Sequence, residues 1–267
     1  MTRIVIGQYY PADSPVHRLD ARVKLISVLF YITSLFFISN FYGYITAALM
    51  MALVIRVSRV PFAMMLKGLR AVIYILCFAV VMNLFLTPGE TVLFSFYFLR
   101  VTLEGARLAA RMALRLILLI MGSSALTLTT SPVQLTDALE SLLKPLKRIK
   151  VPAHEIAMMM TIALRFIPIL AEEMEKIVKA QTARGADFDT GGLIKKAKSL
   201  IPVLVPLFVS SFRRAYELAD AMDARCYRGD YKRTKMKAAR LDRRDACAIS
   251  VLAVYGMVLI LSQIIKI

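Results

Sequence analysis

The chain is poor in the residues that most often carry metal or redox chemistry. It has three cysteines, Cys77, Cys226 and Cys247, and two histidines, His17 and His154. The cysteines lie far apart with no Cys-x-x-Cys, so neither a disulfide framework nor a zinc site is supported. The two histidines are isolated from each other and from any cysteine, which leaves a transition-metal site short of ligands. Glycine-rich phosphate cradles are missing too: neither Gly-x-x-x-x-Gly-Lys nor Gly-x-Gly-x-x-Gly occurs, which argues against a nucleotide-binding enzyme. Residues 1–20 hold no continuous apolar region, so no cleavable signal is expected.

Acidic residues are also scarce, with 18 Asp and Glu against 35 Lys and Arg and a formal net charge of +17. Yet 58% of the residues are hydrophobic and the mean hydropathy is +0.64, above the roughly 45–50% apolar content of a soluble domain. An integral membrane protein is predicted. Its positive charge falls in the connections, which favours the positive-inside rule over nucleic-acid binding.

Along the chain, residues 7–24 form a polar, proline-punctuated lead-in ending in Arg18, Arg22 and Lys24. Residues 25–55 carry no charge and are too long for one span, and Ser39-Asn40-Phe41-Tyr42-Gly43 offers a turn. Two short spans are expected, dependent on flanking arginines that snorkel. Residues 60–70 form a short amphipathic piece, 71–87 a third span, and 92–99 a segment too short to cross, read as re-entrant or interfacial. A fourth span within 102–130 carries Arg107, Arg111 and Arg115 on one face. Such a face is expected to meet protein, water or headgroups. Ser131-Pro132 opens a cytoplasmic region, and 246–265 is a charge-free last span. The expected fold class is all-α: a polytopic integral membrane protein of about five transmembrane helices plus long cytoplasmic helices. Its divisions are 1–131 (lead-in and four spans), 132–244 (cytoplasmic helices with two Ala-Arg motifs) and 245–267 (last span).

Within 132–244 one phrase occurs twice, as Ala180-Gln181-Thr182-Ala183-Arg184-Gly185 and as Ala221-Met222-Asp223-Ala224-Arg225-Cys226. Each closes a helical pattern with proline upstream, Pro168 in the first and Pro202 and Pro206 in the second. The two stems are apolar and the two tips charged, and proline inside a helix is expected to kink it. Glu172/Lys176 and Glu175/Lys179 support the first helix at i, i+4 spacing. Ala180, Ala183, Ala215, Ala219, Ala221 and Ala224 would permit a close helix crossing. Met158, Met159 and Met160 are expected to pack or to offer an adaptable surface. Gly185 suits a left-handed C-terminal cap, Cys226 does not, and Gly229 could serve a little later.

Arg184 and Arg225 can be explained as helix C-terminal cations favoured by the macrodipole, worth about 0.3–1 kcal/mol. The repeated Ala-x-x-Ala-Arg frame points further, to planar five-donor groups inserted into a partner. Asp187, Asp189, Arg228 and Lys232 would flank that docking surface. A metal-dependent membrane phosphotransferase using Asp220, Asp223 and Asp230 is the less favoured enzyme alternative, because Arg213, Arg214 and Arg225 stand close enough to neutralise Asp220 and Asp223, which share a helical face. A self-sufficient secondary transporter or channel is the other alternative. It would usually show ionisable residues or broken helices at mid-membrane.

These residues resemble the transmembrane T component of energy-coupling factor (ECF) transporters. The resemblance covers residues 7–24, 126–187 and 201–229. It implies an importer subunit without catalytic activity in the prokaryotic cell membrane, with its N-terminus and coupling region in the cytoplasm. It implies as partners two homologous cytoplasmic ABC ATPases, a membrane-embedded substrate-binding S component and the lipid bilayer, and no nucleic acid. ATP and Mg would be bound by the ATPases, with no cofactor or metal in this chain, and the cargo would be a vitamin or another micronutrient, a metal ion included. By motif position, the ATPase-docking residues are Ala183, Arg184, Gly185, Ala224, Arg225 and Cys226. Two departures stand out: Asp20-Ala21-Arg22 where the family often has Asp-Pro-Arg, expected to leave the fold intact but change a turn, and Cys226 where it usually has glycine.

Overall fold

The computed structural model describes residues 9–88, 91–96, 99–145, 152–188, 192–229 and 242–264. The architecture is all-α apart from one short hairpin. The helices are α1 (Ala21–Phe37), α2 (Phe41–Ser58), α3 (Phe62–Leu86), α4 (Leu103–Thr129), α5 (Pro132–Leu143), α6 (Ala153–Ala183), α7 (Leu193–Ala224) and α8 (Arg243–Ile264). The chain divides into two compact units, Gly7–Ala138 with Lys237–Ile267, and Met1–Ile6 with Leu139–Met236.

The first unit holds α1 to α4 and α8. Local chemistry sets its helix starts. The Asp20 carboxylate caps α1 by accepting from the Arg22 N–H at 2.9 Å, so Ala21 occupies the first helical position, where proline is equally at home. Alanine in place of the family's proline therefore leaves the helix start intact. Thr102 caps α4 through the Gly105 N–H. Ser131 and Gln134 exchange side-chain bonds with each other's backbone N–H, a capping box that opens α5 at Pro132.

Four described helices are long and apolar enough to cross a membrane, α2, α4, α6 and α8, or five with α3, which bends by 64° between Phe62–Arg70 and Val72–Leu86. That bend separates the expected amphipathic piece from the third span. α1 has 17 residues, about 26 Å of helix against a hydrocarbon core of roughly 30 Å. The sequence places α6 in the coupling region, although its apolar stem alone is long enough to span. The described residues of 92–99 neither cross nor turn back as a helix: Val92–Phe96 pairs antiparallel with Leu99–Thr102.

Tyr31, Leu35, Tyr44, Ala47, Leu118 and Tyr255 form the centre of the core of this unit. The Tyr31 hydroxyl donates to the Ala47 carbonyl, and Ser34 and Tyr255 share a 2.8 Å bond between α1 and α8. Gly122 lets α4 lie against α1, because a Cβ there would stand 3.1 Å from the Tyr31 ring. Small residues at such crossings bring helix backbones together in apolar surroundings.

Contacts also order the two ends of the bundle. At one end, the Tyr10 N–H donates to the Leu128 carbonyl and Lys24 Nζ donates to His17 and Thr129 carbonyls at 3.1 and 2.9 Å. There too, Asp245 on α8 accepts from the backbone N–H groups of Asp20 and Asp242 at 2.9 and 2.8 Å. Lys24 and Asp245 are buried; Lys24 points inward and does not snorkel. At the other end, Asn40 donates to the Ser262 carbonyl and Gln263 to the Phe37 carbonyl. Arg115 and Arg111 belong to that second end, donating to the Ile38 and Ser39 carbonyls, while Arg115 also lies over the Phe36 ring. The arginine face of α4 thus meets protein, where α1 ends with carbonyls lacking helical partners.

Candidate functional site at two helix tips

The second unit carries the repeated phrase at the ends of α6 and α7. Both helices run unbroken through their prolines, Pro168 in α6 and Pro202 and Pro206 in α7. A proline removes one donor from the helix ladder and frees the carbonyl four residues earlier. For Pro206 that carbonyl belongs to Pro202, and Gln181 of α6 donates to it at 3.3 Å. Nearer the middle of the pair, Arg214 of α7 meets Glu173 of α6 at 3.1 Å, both half-buried. Further along, Met158, Ile162, Phe166 and Leu170 of α6 face Ala215 and Leu218 of α7 across a groove of about 340 Å³.

As position rises along α6, its partner on α7 falls, from 214 opposite 173 to 202 opposite 181. The helices therefore run in opposite directions, and their C-terminal tips lie at opposite ends of the pair. From the level of Arg184 to Arg225 is about 26 residues of α7, roughly 40 Å of helix. Neither tie is legible in local spacing, since each joins residues of different helices. Replacing Gln181 by leucine removes the bond to the Pro202 carbonyl and is expected to cost about 1 kcal/mol. Hydrogen exchange around 202–206 should speed up by about fivefold, and unchanged exchange would deny the tie a structural role.

Each tip is built the same way. In the first, the Gly185 N–H donates to the Thr182 carbonyl at 2.9 Å and the Ala186 N–H to the Gln181 carbonyl at 3.0 Å. In the second, the Cys226 N–H donates to the Asp223 carbonyl at 2.8 Å and the Tyr227 N–H to the Met222 carbonyl at 3.0 Å. Both are complete Schellman caps, with Arg184 and Arg225 as the capping residues and the next residue left-handed. Gly185 has φ +89° and Cys226 φ +56°. Cys226 thus takes the position that the sequence reading denied it, and Gly229 (φ +69°) lies beyond the cap. The reason is energetic: a left-handed non-glycine residue costs about 1–2 kcal/mol, which two cap hydrogen bonds of about 1 kcal/mol each can offset. Cys226→Gly is expected to stabilise this tip by up to about 1 kcal/mol. Slower amide exchange at Tyr227 would show it, and unchanged exchange would remove the strain from account.

Ala183, Arg184, Gly185, Ala224, Arg225 and Cys226 are all exposed. Among the described residues the guanidinium of neither Arg184 nor Arg225 has an ion-pair or hydrogen-bond partner. Each guanidinium stands at the mouth of a capped helix with its donors free.

All six alanines expected at a close crossing are exposed, and of them only Ala215 and Ala219 line the groove toward α6. Met158 lines the groove, while Met159 and Met160 are exposed. Lys179 pairs with Glu175 at 2.6 Å. Arg214 is taken by Glu173, and Asp220 and Asp223 are exposed without an ion pair among the described residues. The expected neutralisation of those aspartates by arginine is therefore corrected: α6 draws Arg214 away. No group of three or more metal-ligating side chains occurs among the described residues. Asp187 and Arg228 are exposed beside the tips; Asp189, Asp230 and Lys232 lie outside the described residues.

The profile of the cobalt transport protein family, CbiQ, matches residues 12–236, a stretch that includes both tips. Three similar proteins are named energy-coupling factor transporter transmembrane protein EcfT. That of Clostridium kluyveri is 54% identical over 98% of this chain and 97% of its own. That of Ruminiclostridium cellulolyticum is 51% identical over 97% of each chain. The third, from Thermosediminibacter oceani, is 48% identical over 99% of this chain and 100% of its own. With apolar helices able to span a bilayer and identity of this level along nearly the whole length, the chain belongs to the CbiQ family as an energy-coupling factor transporter transmembrane component, EcfT.

Proposed function

We propose that this chain is the non-catalytic coupling subunit of an ECF-type ABC importer, with Arg184 and Arg225 each docked into one of two cytoplasmic ATPases. The observation that carries the reading is the pair of capped, uncovered arginine tips at opposite ends of one antiparallel helix pair. An exposed arginine without a carboxylate of its own suits a partner's groove of carboxylates or carbonyls. Two such tips about 40 Å apart along the axis suit two sockets on two similar subunits.

ATP and Mg belong to those partners in this reading. When the ATPases close or open, they displace the tips. The Glu173–Arg214 and Gln181–Pro202 ties make α6 and α7 move together, so the displacement passes to their stems. Those stems expose Met159, Ile167, Val205, Phe208, Val209 and Phe212, an apolar surface suited to a membrane-embedded S component. A change in contact there would reorient that subunit and release its cargo, a vitamin or another micronutrient, a metal ion included. The end of the membrane unit that gathers Arg18, Arg22, Arg59, Arg243 and Arg244 faces the cytoplasm under the positive-inside rule.

The test is a detergent pull-down of the tagged chain from its host, with the recovered proteins identified. Two related ATPases and a small membrane protein are the expected company. A chain recovered alone, and able by itself to move solute in liposomes, would overturn the reading.

A further inference from the structure

Apart from the tips, the membrane unit contains an apolar cavity of about 390 Å³ walled by α1, α2, α4 and α8. Its size falls within the range of ligand pockets, roughly 300–1,000 Å³. Val28 and Tyr31 of α1, Val54 of α2, and Cys247 and Ala248 of α8 contribute to the wall. On α1 the lining extends from Lys24 to Tyr31, two helical turns or about 10 Å. An apolar space of this kind does not hold ordered water well.

The mouth is charged. Arg244 and Lys24 belong to the lining, and Pro15, Val16 and Leu19 of the lead-in close that end. Lys24 is committed to the His17 and Thr129 carbonyls. Arg244 is exposed and only loosely tied, with Nε 4.0 Å from the Asp242 carboxylate. Asp13 shows which cations lie near it: the hydrogen-bonded Arg18 guanidinium holds its carboxyl below the usual range, and Arg59 and Arg244 add to that effect. Among the described residues the exposed charges at this end include Arg18, Arg56, Arg59, Arg243 and Arg244 against Asp13 and Asp242. An apolar slot beneath a surplus of arginine matches one amphiphile better than any water-soluble solute.

We propose that this cavity holds an acyl chain of an anionic phospholipid whose phosphate is bound by Arg244 with Arg59 beside it. Guanidinium suits phosphate through its fork of donors, and basic groups at the membrane surface favour anionic over neutral lipid. The bound chain fills the space between α1, α2, α4 and α8, so this lipid ties the bundle together where the lead-in crosses it.

The experiment uses the full chain purified in neutral detergent. The probes are palmitoyl-oleoyl phosphatidylglycerol, phosphatidylcholine with the same chains, and glycerol 3-phosphate. Native mass spectrometry reads lipid retention, and a small maleimide reads the reactivity of Cys247 in the wall against Cys226 at the end of α7. Phosphatidylglycerol should be retained about fivefold better than phosphatidylcholine and should slow Cys247 relative to Cys226, while glycerol 3-phosphate does neither. Ala248→Phe fills the cavity and should abolish retention and protection together; Arg244→Gln should remove the preference for phosphatidylglycerol. Equal retention of the two lipids by the wild type would overturn the proposal, as would protection of Cys247 by glycerol 3-phosphate alone or a folded Ala248→Phe chain that retains phosphatidylglycerol normally. Should Ala248→Phe fail to fold, the exposed Arg244→Gln decides: a preference kept overturns the proposal, and a preference lost supports it.

Discussion

Replacing Arg184 and Arg225 together by alanine is expected to release both ATPases while leaving the chain folded in its membrane. Each guanidinium offers five donors and has no partner of its own among the described residues, so its hydrogen-bonding capacity is unspent before docking. Truncating an arginine hot spot typically costs 2 kcal/mol or more, about 30-fold in affinity. The tips lie roughly 40 Å apart along α7, well beyond the 7–10 Å within which substitutions couple. The two losses should therefore add, giving about 30-fold for each ATPase and about a thousand-fold for the assembly of both. An exposed side chain without partners contributes within about 0.5 kcal/mol to folding, so the thermal midpoint of the isolated chain should stay put.

Arg184→Lys should recover only part of the loss, because an ammonium keeps the charge and forfeits the planar fork. Binding of the two ATPases, measured with purified subunits, decides the matter. If the double variant held both ATPases at wild-type affinity and still drove uptake, the docking role of the tips would be lost. If instead its midpoint fell by several degrees, the arginines would be structural cations of the helix ends.

The second large effect is expected at Asp245. This carboxylate is buried and accepts from the backbone N–H groups of Asp20 and Asp242, so it joins the start of α8 to the start of α1. Bonds to a charged group are worth about 1.5–3 kcal/mol each, and a donor left unsatisfied adds its desolvation cost. Asp245→Ala orphans both N–H groups and removes a negative charge near the buried Lys24. A loss of about 3 kcal/mol follows, or roughly 5–10 °C in the thermal midpoint of the detergent-solubilised chain. Asp245→Asn keeps one carbonyl acceptor and should fall between. A midpoint within a degree of wild type for Asp245→Ala would show that water replaces those bonds.

The two effects separate assembly from folding. Arginine loss at the tips should leave a stable chain without ATPases, whereas loss of Asp245 should weaken the chain before any partner is considered. Measuring ATPase binding and the thermal midpoint on the same four variants distinguishes the outcomes.

Much of the architecture was legible from local pattern. Charge-free apolar runs located α1, α2, α8 and the part of α4 beyond Arg115, because a bilayer leaves a long apolar segment little choice but a helix. Ser131-Pro132 marked the start of α5, and proline kept outside a first turn did not end α6 or α7, whose stems run on through it. The recurrence of Ala-x-x-Ala-Arg singled out both tips, since a helix end is written in a few adjacent residues.

What the sequence could not determine arises where distant residues meet. The Asp20–Asp245 bond joins positions 225 apart, and Arg214 could be assigned to Asp220 or Asp223 by spacing until α6 brought Glu173 to it. Gln181 had no visible task, because the free carbonyl that it fills lies on another helix and exists only by the lack of an N–H at Pro206. Only the fold revealed that the two tips lie at opposite ends of one antiparallel pair. Cys226 shows the limit of propensity itself: local preference opposed a left-handed residue there, and the hydrogen bonds of the cap prevailed. The sequence by itself determined which segments are helical and which arginines end them, because period and capping are short-range. The tertiary structure decided which charges are spent inside the protein and which stay free for a partner, because burial and pairing depend on where each helix comes to rest.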